Sequence, residues 1–172
     1  MANSLTSYFK KTYRKVNYKS NTFFRELRED KDYISNVTNF ANSNNFKSDT
    51  YYFIYVDTKN FKTNIFEGSL NKWKLVRSYL CTIGKPSTPT IKGDFKLGVK
   101  GLYFGVNRGY KCWYYSQIKG NYLFHSIIYN LDGTVRDGRL GMALSDGCVR
   151  LARENAKWLW DNIPENTAIH IV

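Results

Sequence analysis

The chain has 172 residues, long enough for one domain with a substantial core and a short appendage. No apolar run reaches the ~18 residues that would span a membrane, and the abundance of Tyr and Phe marks a globular chain, not a disordered one. Three cysteines without a CxxC pair, and only two histidines, argue against a structural zinc site, while a formal charge of +12 predicts attraction to polyanions without choosing among nucleic acid, anionic lipid and anionic wall polymer.

Residues 1–21 form a basic lead carrying Lys10, Lys11, Arg14, Lys15 and Lys19. The lead lacks an apolar h-region and a cleavage site, so it does not read as a signal peptide. Were the protein to act outside the cell, its export signal would lie elsewhere. From Thr22 to about Ala41, Phe23, Leu27, Ile34 and Val37 recur at helical spacing. The Asn/Ser-rich "NSNNFKS" that follows is a linker signal. The expected division is 1–48, a basic lead, helix and linker, and 49–172, the main domain.

The pattern then changes to strands. "TYYFIYVD", "FKTNIFEGS" and "KWKLVRSYLCTIG" are rich in β-branched and aromatic residues. "GKPSTPTIKGDFKLG" is a Pro/Gly-punctuated loop leading into another strand, and 101–130 reads as short strands with glycine turns. A helix is expected from about Val149 to Asn162, followed by a terminal strand "TAIHIV". The architecture is mostly β with one late helix. Cys81 and Cys112 fall in strand-like stretches and are expected as packed thiols, and His170 as a surface or edge histidine. Tyr103, Tyr110, Trp113, Tyr114 and Tyr115 read as cross-strand packing, ahead of a substrate lid.

Two residues stand out chemically. His125 lies inside "NYLFHSIIYN", where an ionisable ring needs a partner. Cys148 follows the Gly147 turn, at what the pattern predicts to be a helix start. The N–H groups and dipole of such a terminus favour the thiolate and can cradle an oxyanion. A Cys–His pair is the minimum apparatus for thioester chemistry. On spacing alone, a buried cysteine and a satisfied core histidine explain the same residues.

The motifs add to this. "YLFHS", "SDGCVRLARENAKWLWDNIPENTAIHIV" and the upstream "STPTIKGDFKLG" resemble the L,D-transpeptidase (YkuD-like) catalytic domain, with His125, Ser145, Gly147, Cys148, Val149 and Arg150 matching in order over about 51–172. The resemblance implies a β-sandwich or barrel with a C-terminal helix behind the cysteine. It implies that Cys148 attacks the carbonyl between the third and fourth residues of a peptidoglycan stem peptide and releases D-alanine. His125, oriented by the Ser126 carbonyl, would activate the thiol and protonate the leaving amine. Main-chain N–H groups of Asp146, Gly147 and Cys148 would form the oxyanion hole, and Arg150 and Ser145 would contact substrate or brace the loop. No metal or organic cofactor is implied. The implied partners are peptidoglycan stem peptides and a β-lactam (carbapenem) inhibitor, with no nucleic acid, and the implied location is the bacterial cell envelope. An L,D-carboxypeptidase, or a non-catalytic binder of wall polymer or nucleic acid, are the alternative readings. The chain departs from the family pattern at Asp146, which stands where the motif has His. A carboxylate there would raise the thiol pKa unless it points away and leaves only its N–H in the site.

Overall fold

The computed structural model describes the backbone of residues 20–172 and side chains from Asp30 onward. Most of the predicted basic lead therefore lies outside the described residues. The predicted first helix is α1 (Ser20–Ser43). The chain divides after Asn39, and the unit from Phe40 to Val172 contains every strand of the described residues. Among the described residues no helix is long and apolar enough to cross a membrane.

The strands are β1 (Tyr52–Asp57), β2 (Lys62–Glu67), β3 (Lys74–Gly84), β4 (Gly93–Lys96), β5 (Lys100–Phe104) and β6 (Lys111–Lys119). They continue with β7 (Tyr122–Ser126), β8 (Ile128–Tyr129), β9 (Val135–Asp137), β10 (Ala143–Ser145), β11 (Val149–Leu151) and β12 (Ala168–Ile171). They hydrogen-bond in the order β4-β12-β1-β2-β3-β11-β7-β6-β8-β9, with β10 on β3 and β5 on β6. The fold is mostly β, as expected, but the sheet is open, so the barrel alternative does not apply. β12 lies inside the sheet between β4 and β1, so His170 is not on an edge strand. Its Nδ1 sits 2.7 Å from Asp94 Oδ1 on β4.

β1 shows how alternation sorts side chains. Ile54 and Val56 enter the main core with Ile65, Leu97, Phe124, Val149, Leu151, Leu159, Ile169 and Ile171. Phe53 turns the other way, against Phe46, Phe66 and Trp73. The Asn-rich stretch read as a linker does more than connect. Asn42 donates to Trp73 O at 2.9 Å and accepts from Trp73 N at 2.7 Å, while Trp73 Nε1 donates to Phe46 O at 3.1 Å.

The late helix differs from the prediction. It is α2 (Arg153–Asn162), and residues Val149–Leu151 are the strand β11. All three β11 residues are buried, and the strand is clamped between β3 and β7, with Arg150 opposite Thr82 on one side and His125 on the other. A helix beginning at Val149 would leave the ladder groups of both neighbours unpaired. α2 instead closes over the sheet through Ala156 and Leu159. Full burial of Leu159 contributes about 1.5–3 kcal/mol.

Candidate active site

The parallel register of β7 and β11 sets Arg150 opposite His125. Residues two apart on a strand share a face, so Cys148, just before β11, lies on the same face as Arg150 and His125. Cys148 is half-buried, and its Sγ donates to Asn121 O at 3.4 Å. The cysteine therefore precedes a strand, not a helix. The N-terminus of α2 begins at Arg153, and dipole effects fade within one turn, so the helix does not favour the thiolate as the sequence pattern suggested.

His125 is 5% exposed. Its Nδ1 lies 2.6 Å from Ser126 O. A carbonyl can only accept, so Nδ1 carries the proton and Nε2 offers its lone pair. The Phe104 ring stands edge-on to the imidazole, with centres 5.2 Å apart. Burial, helped by the Arg150 charge and opposed by the Ser126 carbonyl, brings the His125 pKa down to about 4. Burial likewise raises the Cys148 pKa, with the Asp146 charge adding to it and the Leu123 N–H and Arg150 opposing. At neutral pH the two groups are a thiol and a neutral imidazole, not an ion pair.

The turn carrying Cys148 is built from within and braced from outside. Ser145 Oγ donates to Cys148 O at 2.6 Å and accepts from Gly147 N at 3.1 Å. The Gly147 N–H is thereby used inside the turn. Gly147 has φ +114°, and a Cβ there would come within 2.6 Å of the Tyr122 ring, so only glycine fits. From outside, buried Thr90 bridges two segments: Gly84 N donates to its Oγ1 at 2.8 Å, and Oγ1 donates to Gly147 O at 2.8 Å. Lys85 N donates to Ser145 O at 2.9 Å alongside.

The Asp146 side chain points away from the interior. It is 83% exposed and its Oδ1 accepts from Lys85 Nζ at 2.6 Å. The lysine holds the carboxyl pKa below its usual value. Arg150 is 4% exposed, and its Nη1 donates to Asp137 Oδ2 at 2.9 Å. Asp137 also takes Arg139 at 2.9 Å, and these hydrogen bonds, Arg139 foremost, hold its carboxyl well below the ordinary carboxylate range. Arg150 thus braces the strand beside His125, and its buried Nε has no hydrogen-bond partner among the described residues. Cys81 and Cys112 are buried thiols, as expected, pushed up to about 12 by burial.

All seven residues expected at the site, Cys148, His125, Ser126, Ser145, Asp146, Gly147 and Arg150, fall on the Cys148 turn or the two paired strands. Sequence reasoning missed Thr90, Lys85, Phe104 and Asp137. Thr90 carried a signal, since it ends the "STPT" segment on which the resemblance partly rests. Asp137 carried none, because "VRDGRLG" reads as an ordinary charged turn.

Comparisons with known proteins identify the family. Residues 51–171 match the YkuD model, the L,D-transpeptidase catalytic domain. The putative L,D-transpeptidase YciB of Bacillus subtilis (strain 168) is 34% identical over 126 residues, covering 69% of this chain. The chain spans 64% of that relative's length. A crystal structure of a fused Zn-dependent amidase/peptidase/peptidoglycan-binding domain-containing protein from Clostridium acetobutylicum ATCC 824 is 43% identical, with a TM-score of 0.71, covering 83% of this chain and 61% of that one. L,D-transpeptidase LdtMt1, solved in complex with imipenem, shares the fold at 19% identity, with a TM-score of 0.57 over 71% of this chain and 59% of that one. The match over residues 51–171, with a relative 34% identical over 69% of the chain, makes this chain a member of the family of L,D-transpeptidase catalytic domains.

Proposed function

We propose that the protein is a peptidoglycan L,D-transpeptidase that works through a Cys148 thioester. The observation carrying this reading is the shared face of Cys148 and His125, with Nδ1 fixed on Ser126 O so that Nε2 is the free base. Because both groups rest neutral, the thiol loses its proton to Nε2 as its sulfur attacks the donor carbonyl. The Asp146 and Cys148 N–H groups take the oxyanion, since the Gly147 N–H already serves Ser145. Collapse breaks the C–N bond, His125 gives its proton to the departing amine, and D-alanine leaves. The acceptor stem's side-chain amine then attacks the thioester through the same base, its proton returns to sulfur, and a 3→3 crosslink forms. The chemistry is complete with a thiol, an imidazole and backbone donors, and it asks for no cofactor.

Arg150 and Ser145 act in this reading by holding the turn and the strand. A carbapenem would acylate Cys148 as a substrate mimic, in keeping with the imipenem complex of LdtMt1. The site of action is the cell envelope, where such stems exist. Intact mass after incubation with a tetrapeptide-stem muropeptide tests the reading. A crosslinked dimer supports transpeptidation, and loss of D-alanine alone assigns an L,D-carboxypeptidase in which water resolves the same thioester. No change in the muropeptide, together with no carbapenem adduct, leaves a non-catalytic binder and overturns the proposal.

A further inference from the structure

The face of the β5–β6–β8 region opposite the histidine carries a second constellation that the acyl-transfer reading does not use. In the β5–β6 ladder Phe104 pairs with Cys112 and Tyr103 with Trp113, and in the β6–β8 ladder Lys111 pairs with Tyr129. Phe104 meets the His125 ring, so alternation sends Tyr103, Lys111, Trp113 and Tyr129 to the other side. There Lys111 Nζ lies 4.9 Å from the Tyr103 ring centre and 4.7 Å from that of Trp113. The Arg153 guanidinium lies 4.7 Å from the Trp113 ring centre and 5.4 Å from that of Tyr129. Tyr103 and Trp113 meet edge-to-face at 5.5 Å.

Neither Lys111 nor Arg153 forms an ion pair among the described residues, whereas Lys157 one turn along α2 is neutralised by Asp161 at 2.6 Å. The rings therefore hold two cations in place without cancelling their charge. The Trp113 indole has both cations within 4.7 Å of its centre, which occupies the ring a sugar or nucleobase would need for stacking. What remains on offer is positive charge at fixed spacing, with a guanidinium fork suited to phosphate oxygens. Glu154, next to Arg153 in sequence, is the nearest acidic residue along the chain.

We propose that this face docks a linear phosphodiester polymer through Lys111 and Arg153, with Trp113, Tyr103 and Tyr129 as the scaffold that fixes them. Docking of this kind would hold the domain against a polyanionic matrix while leaving the opposite, cysteine-bearing face free. The inference does not depend on the chemistry of Cys148.

The test is binding of the full chain to poly(glycerol phosphate) of defined length, followed by fluorescence anisotropy at several salt concentrations. Lys111→Gln/Arg153→Gln is compared with Lys47→Gln/Lys59→Gln, which removes the same charge at exposed positions elsewhere. The expected result is at least tenfold weaker binding for the first pair, a salt slope lower by up to about 2, and little change for the second. Retained circular dichroism and thermal midpoint show that the first pair still folds. Equal loss in both pairs means diffuse attraction and overturns the proposal, as does absence of wild-type binding at ~0.1 M salt, where the Debye length is ~10 Å. Single-stranded DNA of matched charge binding as tightly as the polymer, with the same sensitivity, would make this a nucleic-acid surface instead.

Discussion

Lys85 Nζ lies 2.6 Å from Asp146 Oδ1, joining the loop after β3 to the turn that carries the nucleophilic candidate. The pair accounts for a carboxylate in the family's histidine position. Asp146 still raises the Cys148 pKa, but the lysine screens it and draws its side chain outward. Exposed pairs of this kind are worth about 0.2–1 kcal/mol, so removing the lysine should act modestly and in a known direction. Lys85→Gln is expected to slow carbapenem acylation at pH 7.5 by about threefold, the equivalent of ~0.65 kcal/mol. Asp146→His is expected to keep or raise the rate, with Lys85→Gln then adding little. Adduct accumulation by intact mass reads all three, and a large loss in Asp146→His would give the carboxylate a positive role.

Thr90 is a second brace, and its hydroxyl is used twice, accepting from Gly84 N and donating to Gly147 O. Thr90→Val keeps the shape and strands both buried partners, a cost of about 1–3 kcal/mol. Acylation is expected to fall at least tenfold, because the Gly147 carbonyl no longer anchors the turn. Thr90→Ser keeps the hydroxyl and should restore most of both. Urea denaturation and adduct rates measure the pair, and equal behaviour of Val and Ser would remove Thr90 from the bracing scheme.

What was legible in the sequence was chemistry carried by local pattern. The strands from Tyr52 onward announced themselves through β-branched and aromatic residues, and His125, Ser145, Gly147, Cys148 and Arg150 through an ordered motif. What was not legible depended on pairing between distant segments. Val149 and Leu151 fit either a helical stripe or a short strand, and only the slot between β3 and β7 decides for the strand. The same holds for Asp137, whose partner Arg150 is distant in sequence and reached through β9 and β11.

Gly147 makes a stricter demand than its neighbours. With φ at +114° and the Tyr122 ring 2.6 Å from where a Cβ would stand, alanine meets both backbone strain and a collision. Gly147→Ala is expected to lose at least about 1 kcal/mol of stability and nearly all acylation. Tyr122→Ala in the same chain removes the collision and leaves the strain, so only a small part of the activity should return. Full recovery in the double variant would show that the ring, not the backbone, sets the requirement.

The pKa of His125 predicts an acid limb of stability. The ring titrates near 6.5 when unfolded and near 4 when folded, so between those values the unfolded chain binds more protons. Stability is therefore fully present above pH 6.5 and is lost as pH falls through the window toward 4. Urea midpoints at pH 7, 5.5 and 4.5 should drop stepwise in the wild type. In His125→Gln the drop should be shallower, because the neutral amide has nothing to protonate, even where that variant is less stable at pH 7. Acylation carries the complementary signature. The thiol titrates above its ordinary value, so the rate should keep rising past pH 9, with no step near 6.5 from the histidine. A step near 6.5 would mean that the imidazole is exposed to solvent in the working enzyme, and the neutral-pair account of the nucleophile would have to be given up.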